Sequence, residues 1–185
     1  MLFSEWIDRY RPIILSPPLI FALWFGEGSN GDYFIWPLGV TVCLLGAAIR
    51  IWAEQHINRH KSNQERHLAL TGPYKFVRNP LYIGNLFLCT GAVIVSKFPG
   101  MIPVTFLWHF AVYSIVIRLE EGLLLEKYGK PYHNFKSEVP RWIPSAMDFG
   151  NMELINNHFR RAFLAEARCI SILLPYALKG IFLHL

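Results

Sequence analysis

The chain has 185 residues, of which 53% are hydrophobic and only 17% are charged. Soluble domains carry about 25% charged residues, so the composition excludes a disordered, collagen-like or ordinary soluble protein. Four stretches contain none of the 18 basic and 13 acidic residues. These stretches are residues 12–26, 33–49, 81–96 and 100–117. The sequence therefore predicts an all-α integral membrane protein that forms a single domain over residues 1–185.

Each uncharged stretch approaches the roughly 17–25 residues that a helix needs to cross a bilayer. The first one contains Pro17 and Pro18, which predict a kink or a partly unwound turn. Glu5 and Asp8 precede it, and no small-residue cleavage site follows it. We therefore expect the first stretch to stay in the mature protein as a span and not to act as a signal peptide.

The third and fourth stretches are separated only by residues 97–99. So short a connection predicts a tight antiparallel hairpin of residues 81–96 and 100–117. The tail, residues 154–185, is harder to assign, because its apolar end at 169–185 is interrupted by Pro175. We expect the tail to form either a fifth span or an amphipathic helix at the membrane interface. The chain would then have four to five transmembrane helices.

Basic residues are concentrated in two segments of the chain. Six lie between Arg50 and Arg78, and five more lie between Arg118 and Arg141. Residues 27–32, by contrast, hold two acidic residues and no basic one. The positive-inside rule then places the N-terminus, the loop 50–80 and the segment 118–161, with the cofactor-site segment 118–145 inside it, in the cytoplasm.

The start of the third stretch has the features of an anion site. Asn79 is a favourable N-cap residue, and Pro80 suits the first position of a helix. A helix N-terminus with Arg78 beside it attracts a carboxylate or phosphate, and Tyr74 and Tyr82 add flat aromatic faces. The alternative is a capped membrane helix whose arginine and tyrosines lie among lipid headgroups.

Glu120 and Glu121 lie where the fourth stretch ends, and two carboxylates at a helix C-terminus oppose the helix dipole. Arg118, three residues before Glu121, is one cation that could compensate, and a bound ammonium or sulfonium at Glu120 is another. The alternative is a solvated start to an amphipathic run. With the cationic junction at Arg78, these carboxylates form a site suited to a zwitterion, such as the amino-acid end of S-adenosylmethionine.

Two other patterns are interpreted as structural. Residues 26–31 match G-x-G-x-x-G, but they follow an apolar span and not a strand, so we interpret them as a turn. His56 and His60 have metal-ligand spacing with His67 nearby, yet the other histidines are scattered, so we predict no metal site. His109 in the fourth stretch is interpreted as a hydrogen bond between helices.

Four motifs together resemble the isoprenylcysteine carboxyl methyltransferase and phospholipid methyltransferase superfamily. They are Gly46-x-x-x-Arg50-x-Trp52-Ala53, Leu70-Thr-Gly-Pro-Tyr74-x-x-x-Arg78-Asn-Pro-x-Tyr82-x-Gly84, Glu120-Glu121-x-x-Leu124 and Tyr128-Gly-x-x-Tyr132-x-x-Phe135-x-x-x-Val139-Pro-Arg141. The match follows the superfamily's order and spacing over about residues 35–145. The resemblance implies a small integral membrane enzyme that uses S-adenosylmethionine without a Rossmann fold.

The resemblance also implies roles for individual residues. The implied cofactor-binding residues are Arg66, His67, Leu68, Ala69, Tyr74, Asn79, Pro80, Leu81, Tyr82, Glu120 and Glu121. Residues 66–69 and Tyr74 would contact the adenosyl part, and Glu120 would bind the amino group. Arg50 is the candidate for orienting the polar head of the acceptor, and Arg118 is a second catalytic candidate.

This chain departs from the family pattern at two positions. Asn79 stands where most relatives have histidine, which resembles the phosphatidylethanolamine methyltransferase branch. Val116 stands one turn before Glu120, where the prenylcysteine branch has an arginine for the substrate carboxylate, and Arg118 is the nearest arginine. A prenylcysteine carboxylate, a phospholipid amine and a small lipophilic metabolite therefore all remain candidate acceptors.

Two other functions are weighed against a methyltransferase. A membrane sterol or enone reductase would use a nicotinamide cofactor, but such enzymes are usually much longer than 185 residues. A non-catalytic membrane scaffold of the same fold would bind no cofactor. We expect the lipid bilayer and a lipophilic acceptor as partners, with no nucleic acid and no metal, and the sequence leaves the oligomeric state open.

Overall fold

The computed structural model describes residues 2–26, 34–62, 68–144 and 154–171, together with residues 174, 175 and 178. Over these residues the chain is all-helical and contains no strand. The helices are α1 (Leu2–Phe25), α2 (Ile35–Ser62), α3 (Pro80–Val95), α4 (Met101–Tyr128), α5 (Lys130–Glu138) and α6 (Phe159–Ile170). A short 3-10 helix, Gly72–Lys75, precedes α3. The predicted all-α class is confirmed.

Two of these helices are long and apolar enough to cross a membrane, namely Ile35–Ile57 within α2 and the whole of α4. Shorter apolar helices are Tyr10–Phe25, within α1, and α3. The predicted hairpin is present, because α3 and α4 pack together across residues 96–100. Lys97 has a φ of 56° in that turn, a left-handed conformation that reverses the chain.

Two helices extend further than the uncharged stretches predict. α2 continues past residue 49 to Ser62, and α4 continues past residue 117 to Tyr128. The charged residues beyond each stretch are mostly strong helix formers, so the loss of hydrophobicity does not end the helix. Glu120 therefore lies two turns inside α4, and the expected opposition to the helix dipole is wrong, because that effect is confined to the last turn.

α1 is not unwound at its proline pair. Pro17 and Pro18 cannot donate to the carbonyls of Ile13 and Ile14, which lie four residues earlier. Those carbonyls accept side-chain donors, Ser16 Oγ at 3.0 Å on Ile13 and Trp108 Nε1 at 2.9 Å on Ile14. Because Trp108 belongs to α4, its hydrogen bond to the Ile14 carbonyl also connects α1 to α4.

α2 and α3 pack through glycines that are seven residues apart on each helix. A Cβ built on Gly91 would lie 2.8 Å from the Gly39 carbonyl, and one on Gly84 would lie 2.8 Å from the Gly46 carbonyl. A spacing of seven keeps each pair on one helix face, and the missing side chains let the antiparallel backbones touch. This seam fixes α3, and with it the start of α3 at residue 80, against α2.

α6 packs on α2 through a buried ion pair. Arg50 on α2 donates to both carboxylate oxygens of Glu166 on α6, at 2.6 and 2.8 Å. The Glu166 side chain is 2% exposed and that of Arg50 is 12% exposed. The twelve-residue helix α6 forms part of the predicted 154–185 tail, and most of residues 172–185 lie outside the described residues.

Candidate functional site

A cavity of about 580 Å³ opens where the 3-10 helix, the start of α3, the second half of α4 and α5 meet. That volume lies within the usual range for small-molecule sites. Seven predicted cofactor residues line it, namely Leu68, Ala69, Tyr74, Asn79, Leu81, Tyr82 and Glu120. Arg78 of the predicted anion site also lines it, together with six residues that have no role predicted from the sequence, namely Ile57, Leu124, Lys127, Tyr128, Tyr132 and Phe135. The cavity wall is thus formed by segments that are distant in sequence, from α2, residues 68–82, α4 and α5.

The described lining does not include the remaining predicted cofactor residues. Pro80 is buried at the first position of α3, and Glu121 is buried behind the cavity. Arg66 and His67 lie outside the described residues.

Among the described residues, Glu120 is the acidic residue of the cavity wall, and two side chains donate to it. The Tyr82 hydroxyl donates to Oε1 at 2.5 Å, and Nη2 of Arg11 donates to the same oxygen at 2.8 Å. The Arg11 guanidinium also lies over the Tyr82 ring, 5.4 Å from its centroid. Sequence analysis missed Arg11, although it is the last charged residue before the uncharged stretch 12–26.

Glu121 is held by three cations within the described residues. Arg141 binds it through two hydrogen bonds of 3.1 and 2.6 Å, Arg78 lies at 3.3 Å and Lys136 at 3.7 Å. The hydrogen bonds to Glu121 raise the pKa of Arg141. The prediction that Arg118 pairs with Glu121 is wrong, because Arg118 is exposed on α4 and outside the cavity lining. Glu121 thus anchors the chain after α5 to α4.

Arg78 and Asn79 connect this anchor to the cavity. Arg78 donates to the Lys136 carbonyl at 2.7 Å, and its buried Nε has no hydrogen-bond partner within the described residues. Asn79 occupies the N-cap position as predicted, but its side chain does not cap α3. The Asn79 amide donates to the Arg141 carbonyl at 3.4 Å instead.

Two buried tyrosines contribute neutral side chains to the cavity wall. Burial raises the pKa of Tyr74 well above its usual value, and burial raises that of Tyr132 to about 12. Both phenols therefore stay protonated at physiological pH and can donate hydrogen bonds. Tyr74 is positioned by a tight packing behind it, because Gly72 has a φ of 60° and lies directly against the His56 ring.

Arg50, the predicted acceptor-orienting residue, lies outside the cavity lining. Besides Glu166 it contacts the side-chain oxygen of Asn85 on α3. A guanidinium with both carboxylate oxygens and an amide oxygen as partners is already neutralised. The structure therefore places Arg50 as a link between α2, α3 and α6.

The histidine predictions have mixed outcomes. His56 Nδ1 lies 2.9 Å from the Thr71 hydroxyl, and no cluster of three metal-binding side chains occurs within the described residues. His60 has no described side chain, and His67 and most of the glycine motif 26–31 lie outside the described residues. The interhelical bond expected for His109 is wrong, because its Nδ1 donates to the Thr105 carbonyl of the same helix at 2.8 Å.

Over the described residues the chain is all-helical, two of its helices are long and apolar enough to cross a membrane, and a cavity of small-molecule size has charged and aromatic residues in its lining. The family model for phospholipid methyltransferases matches residues 34–131, which include α2, α3, α4 and most of the cavity wall. The chain belongs to this phospholipid methyltransferase family.

Individual relatives have more varied names. A protein-S-isoprenylcysteine O-methyltransferase of Tribolium castaneum is 26% identical over 148 residues, which are 76% of this chain and 49% of that protein. The nickel-cobalt-cadmium resistance protein NccN of Alcaligenes xylosoxydans xylosoxydans is 29% identical over 149 residues, 76% of this chain and 68% of that protein.

The cobalt-zinc-cadmium resistance protein CzcN of Cupriavidus metallidurans is 27% identical over 127 residues, 66% of this chain and 57% of that protein. The chain thus spans about half of the length of the first relatives that it matches. No solved structure matches it significantly.

Proposed function

We propose that the chain is an S-adenosylmethionine-dependent methyltransferase that acts on a lipophilic acceptor in the membrane. The observation that carries this proposal is the cavity that seven of the predicted cofactor residues line, with the Glu120 carboxylate in its wall. Membership of the phospholipid methyltransferase family supports the reaction type.

The residues of the cavity fit the polar end of this cofactor. The Glu120 carboxylate would bind its ammonium group. The buried Arg78 Nε, which has no partner within the described residues, and the Asn79 amide are donors suited to its carboxylate. Tyr74 and Tyr132 offer neutral, flat walls for its aromatic part. When bound, the cofactor supplies an electrophilic methyl group on a sulfonium.

The chain's own contribution to such a reaction is to orient the reactants and exclude water. Methyl transfer from a sulfonium is an in-line displacement with a neutral leaving group, so it needs little acid–base catalysis. Glu120 is fixed by Tyr82 and Arg11, and Tyr74 by the packing behind it, so the wall is rigid before anything binds. A preformed wall of this kind keeps a nucleophile aligned with the methyl group.

The same proposal includes a topology. We infer that α1 to α4 all cross the bilayer, with the N-terminus and the cavity on the cytoplasmic side, because basic residues are concentrated there. Exposed apolar side chains on α4, such as Leu107 and Ile115, would then face lipid. In this arrangement an apolar acceptor would enter sideways between helices, and the cofactor would enter from the cytoplasm.

The experiment that tests the reaction uses purified protein in lipid nanodiscs with methyl-labelled S-adenosylmethionine. We expect label in the lipid-soluble fraction when either phospholipids or N-acetyl-S-farnesylcysteine are supplied. Glu120→Gln should abolish the transfer, whereas the matched variant Glu126→Gln, exposed on the same helix, should not.

A parallel assay of NADPH oxidation with an enone substrate separates the methyltransferase from a reductase. Oxidation of NADPH without methyl transfer would contradict the proposal and favour the reductase. Neither activity, together with no cofactor binding by folded protein, would favour a scaffold.

A further inference from the structure

Arg11 stands between the cavity and the apolar part of the molecule. It contacts two residues of the cavity wall, Glu120 through a 2.8 Å ion pair and Tyr82 through its ring face. Residues 12–26, which follow Arg11, carry no charge, and neither do residues 100–117, which precede Arg118. If these stretches lie in the bilayer, Arg11 is at the depth of the lipid headgroups.

Three other arginines near the site form ion pairs with carboxylates other than Glu120. Arg78 and Arg141 bind the buried Glu121, and Arg50 binds both oxygens of the buried Glu166. Glu120 is different, because its side chain is 40% exposed, and the Arg11 side chain is 26% exposed. Among the described ion pairs around the cavity, Arg11–Glu120 thus has the more exposed carboxylate, which a new cation can approach.

We propose that Arg11 binds the anionic head of the methyl acceptor, and that the cofactor's ammonium group releases Arg11 from Glu120. This inference rests on the proposed function, in which that ammonium binds Glu120. Oε1 of Glu120 accepts from both Arg11 and Tyr82, so an ammonium on the same carboxylate lies close to the guanidinium, and repulsion between the two like charges weakens the Arg11 contact. The released guanidinium then faces the membrane side of the cavity.

A guanidinium suits the two acceptor chemistries equally. The phosphate of a phospholipid and the carboxylate of a prenylated cysteine both present paired oxygens that accept two parallel N–H donors. Because the two binding events share one residue, each must favour the other by the same factor. The proposal therefore predicts that a cofactor analogue strengthens the binding of anionic amphiphiles.

The test uses S-adenosylhomocysteine, which carries the ammonium group but transfers no methyl group. Calorimetry measures its Kd on full-length protein in detergent, and native mass spectrometry measures retention of two anionic probes, phosphatidylglycerol and N-acetyl-S-farnesylcysteine. Diacylglycerol and the N-acetyl-S-farnesylcysteine methyl ester are the neutral controls, and inorganic phosphate tests whether the oxyanion alone suffices. The probe whose retention responds identifies the source of the anion.

In wild-type protein, S-adenosylhomocysteine should raise retention of at least one anionic probe and of neither neutral control. Arg11→Gln should lose this increase and should bind S-adenosylhomocysteine about fivefold more tightly, because the competing cation is gone. Arg160→Gln, which removes the same charge from an exposed position of α6, should behave as wild type. Arg11→Lys keeps the ion pair but loses the two parallel N–H donors of the guanidinium. It should therefore retain normal cofactor affinity and bind the anionic probes weakly.

Unchanged or weaker binding of S-adenosylhomocysteine by folded Arg11→Gln would overturn the inference, and so would equal anion retention in all variants. If Arg11→Gln does not fold, Arg11→Lys replaces it in the test. Retention of the anionic probes by Arg11→Lys equal to that of wild type would then overturn the inference. Absence of S-adenosylhomocysteine binding by wild-type protein would contradict the proposed function itself, and this inference with it.

Discussion

Glu120 and Glu121 are adjacent in sequence and have opposite surroundings. Successive residues of a helix point about 100° apart, so one carboxylate lines the cavity with 40% of its side chain exposed and the other is 4% exposed. The exposed one keeps an exchangeable partner, and the buried one is tied to Arg141. Of the two, Glu120 is therefore suited to bind a ligand, and Glu121 to hold the chain around the site.

Gly72 shows how a single residue shapes the cavity wall. Replacing it with alanine forces a side chain into a φ of 60° and into the His56 ring, so we expect a loss of about 2–3 kcal/mol in stability. Thermal denaturation in detergent measures this loss. Gly129→Ala is the control for backbone strain without a clash, because Gly129 has a φ of 59° and open space around it, and it should lose less stability than Gly72→Ala.

The clash can be separated from the backbone strain with a second substitution. Adding His56→Ala to Gly72→Ala removes the ring and should recover part of the lost stability. Equal stability of the Gly72→Ala and Gly129→Ala proteins would contradict the tight packing behind Tyr74.

At the scale of elements, the contact of α2 with α3 depends on the absence of side chains. Gly91→Ala would bring a Cβ to 2.8 Å from the Cys43 backbone nitrogen, so the two helices must move apart. We expect a loss of about 1–3 kcal/mol, seen as a lower melting temperature in detergent.

Gly122→Ala is the control for that substitution within α4. A Cβ on Gly122 would meet nothing within 4 Å, and alanine has a higher helix propensity than glycine. Gly122→Ala should therefore raise stability by about 0.5–1 kcal/mol. A Gly91→Ala protein as stable as wild type would contradict close packing at the seam.

The elements that the sequence predicted well are those whose signals are local. The hairpin of α3 and α4 follows from two uncharged stretches with a three-residue connection, and the start of α3 follows from Asn79 and Pro80. The C-terminal ends of α2 and α4 were predicted poorly. The apolar stretches end at residues 49 and 117, but the charged residues that follow are strong helix formers, so the helices continue to Ser62 and Tyr128.

At the scale of the whole molecule, the missed features are contacts between distant parts of the chain. Arg11 reaches Glu120 across 109 residues, and Arg50 reaches Glu166 across 116. No spacing rule along the sequence predicts such pairs, because they depend on how the helices pack. The motif residues of the cavity could be predicted from the resemblance, whereas the ion pairs that fix them required the fold.

The pair of Arg50 and Glu166 makes α6 part of the folded unit, although α6 lies beyond the residues that the family model matches. Glu166→Ala would leave a nearly buried guanidinium without its carboxylate, which costs about 3–5 kcal/mol. Thermal denaturation should show this loss, with the exposed Glu126→Ala within about 0.5 kcal/mol of wild type. Similar melting temperatures for the two variants would mean that α6 contributes little to the fold.

The central claim is that the cavity around Glu120 binds S-adenosylmethionine. The most direct measurement is a calorimetric titration of folded, full-length protein with S-adenosylmethionine, alongside Glu120→Gln and Glu126→Gln. We predict saturable binding to wild type and Glu126→Gln, and at least a tenfold loss of affinity in Glu120→Gln, because a neutral amide replaces the charged partner of the ammonium group. Absence of binding to wild type, or equal affinity in all three proteins, would contradict the claim.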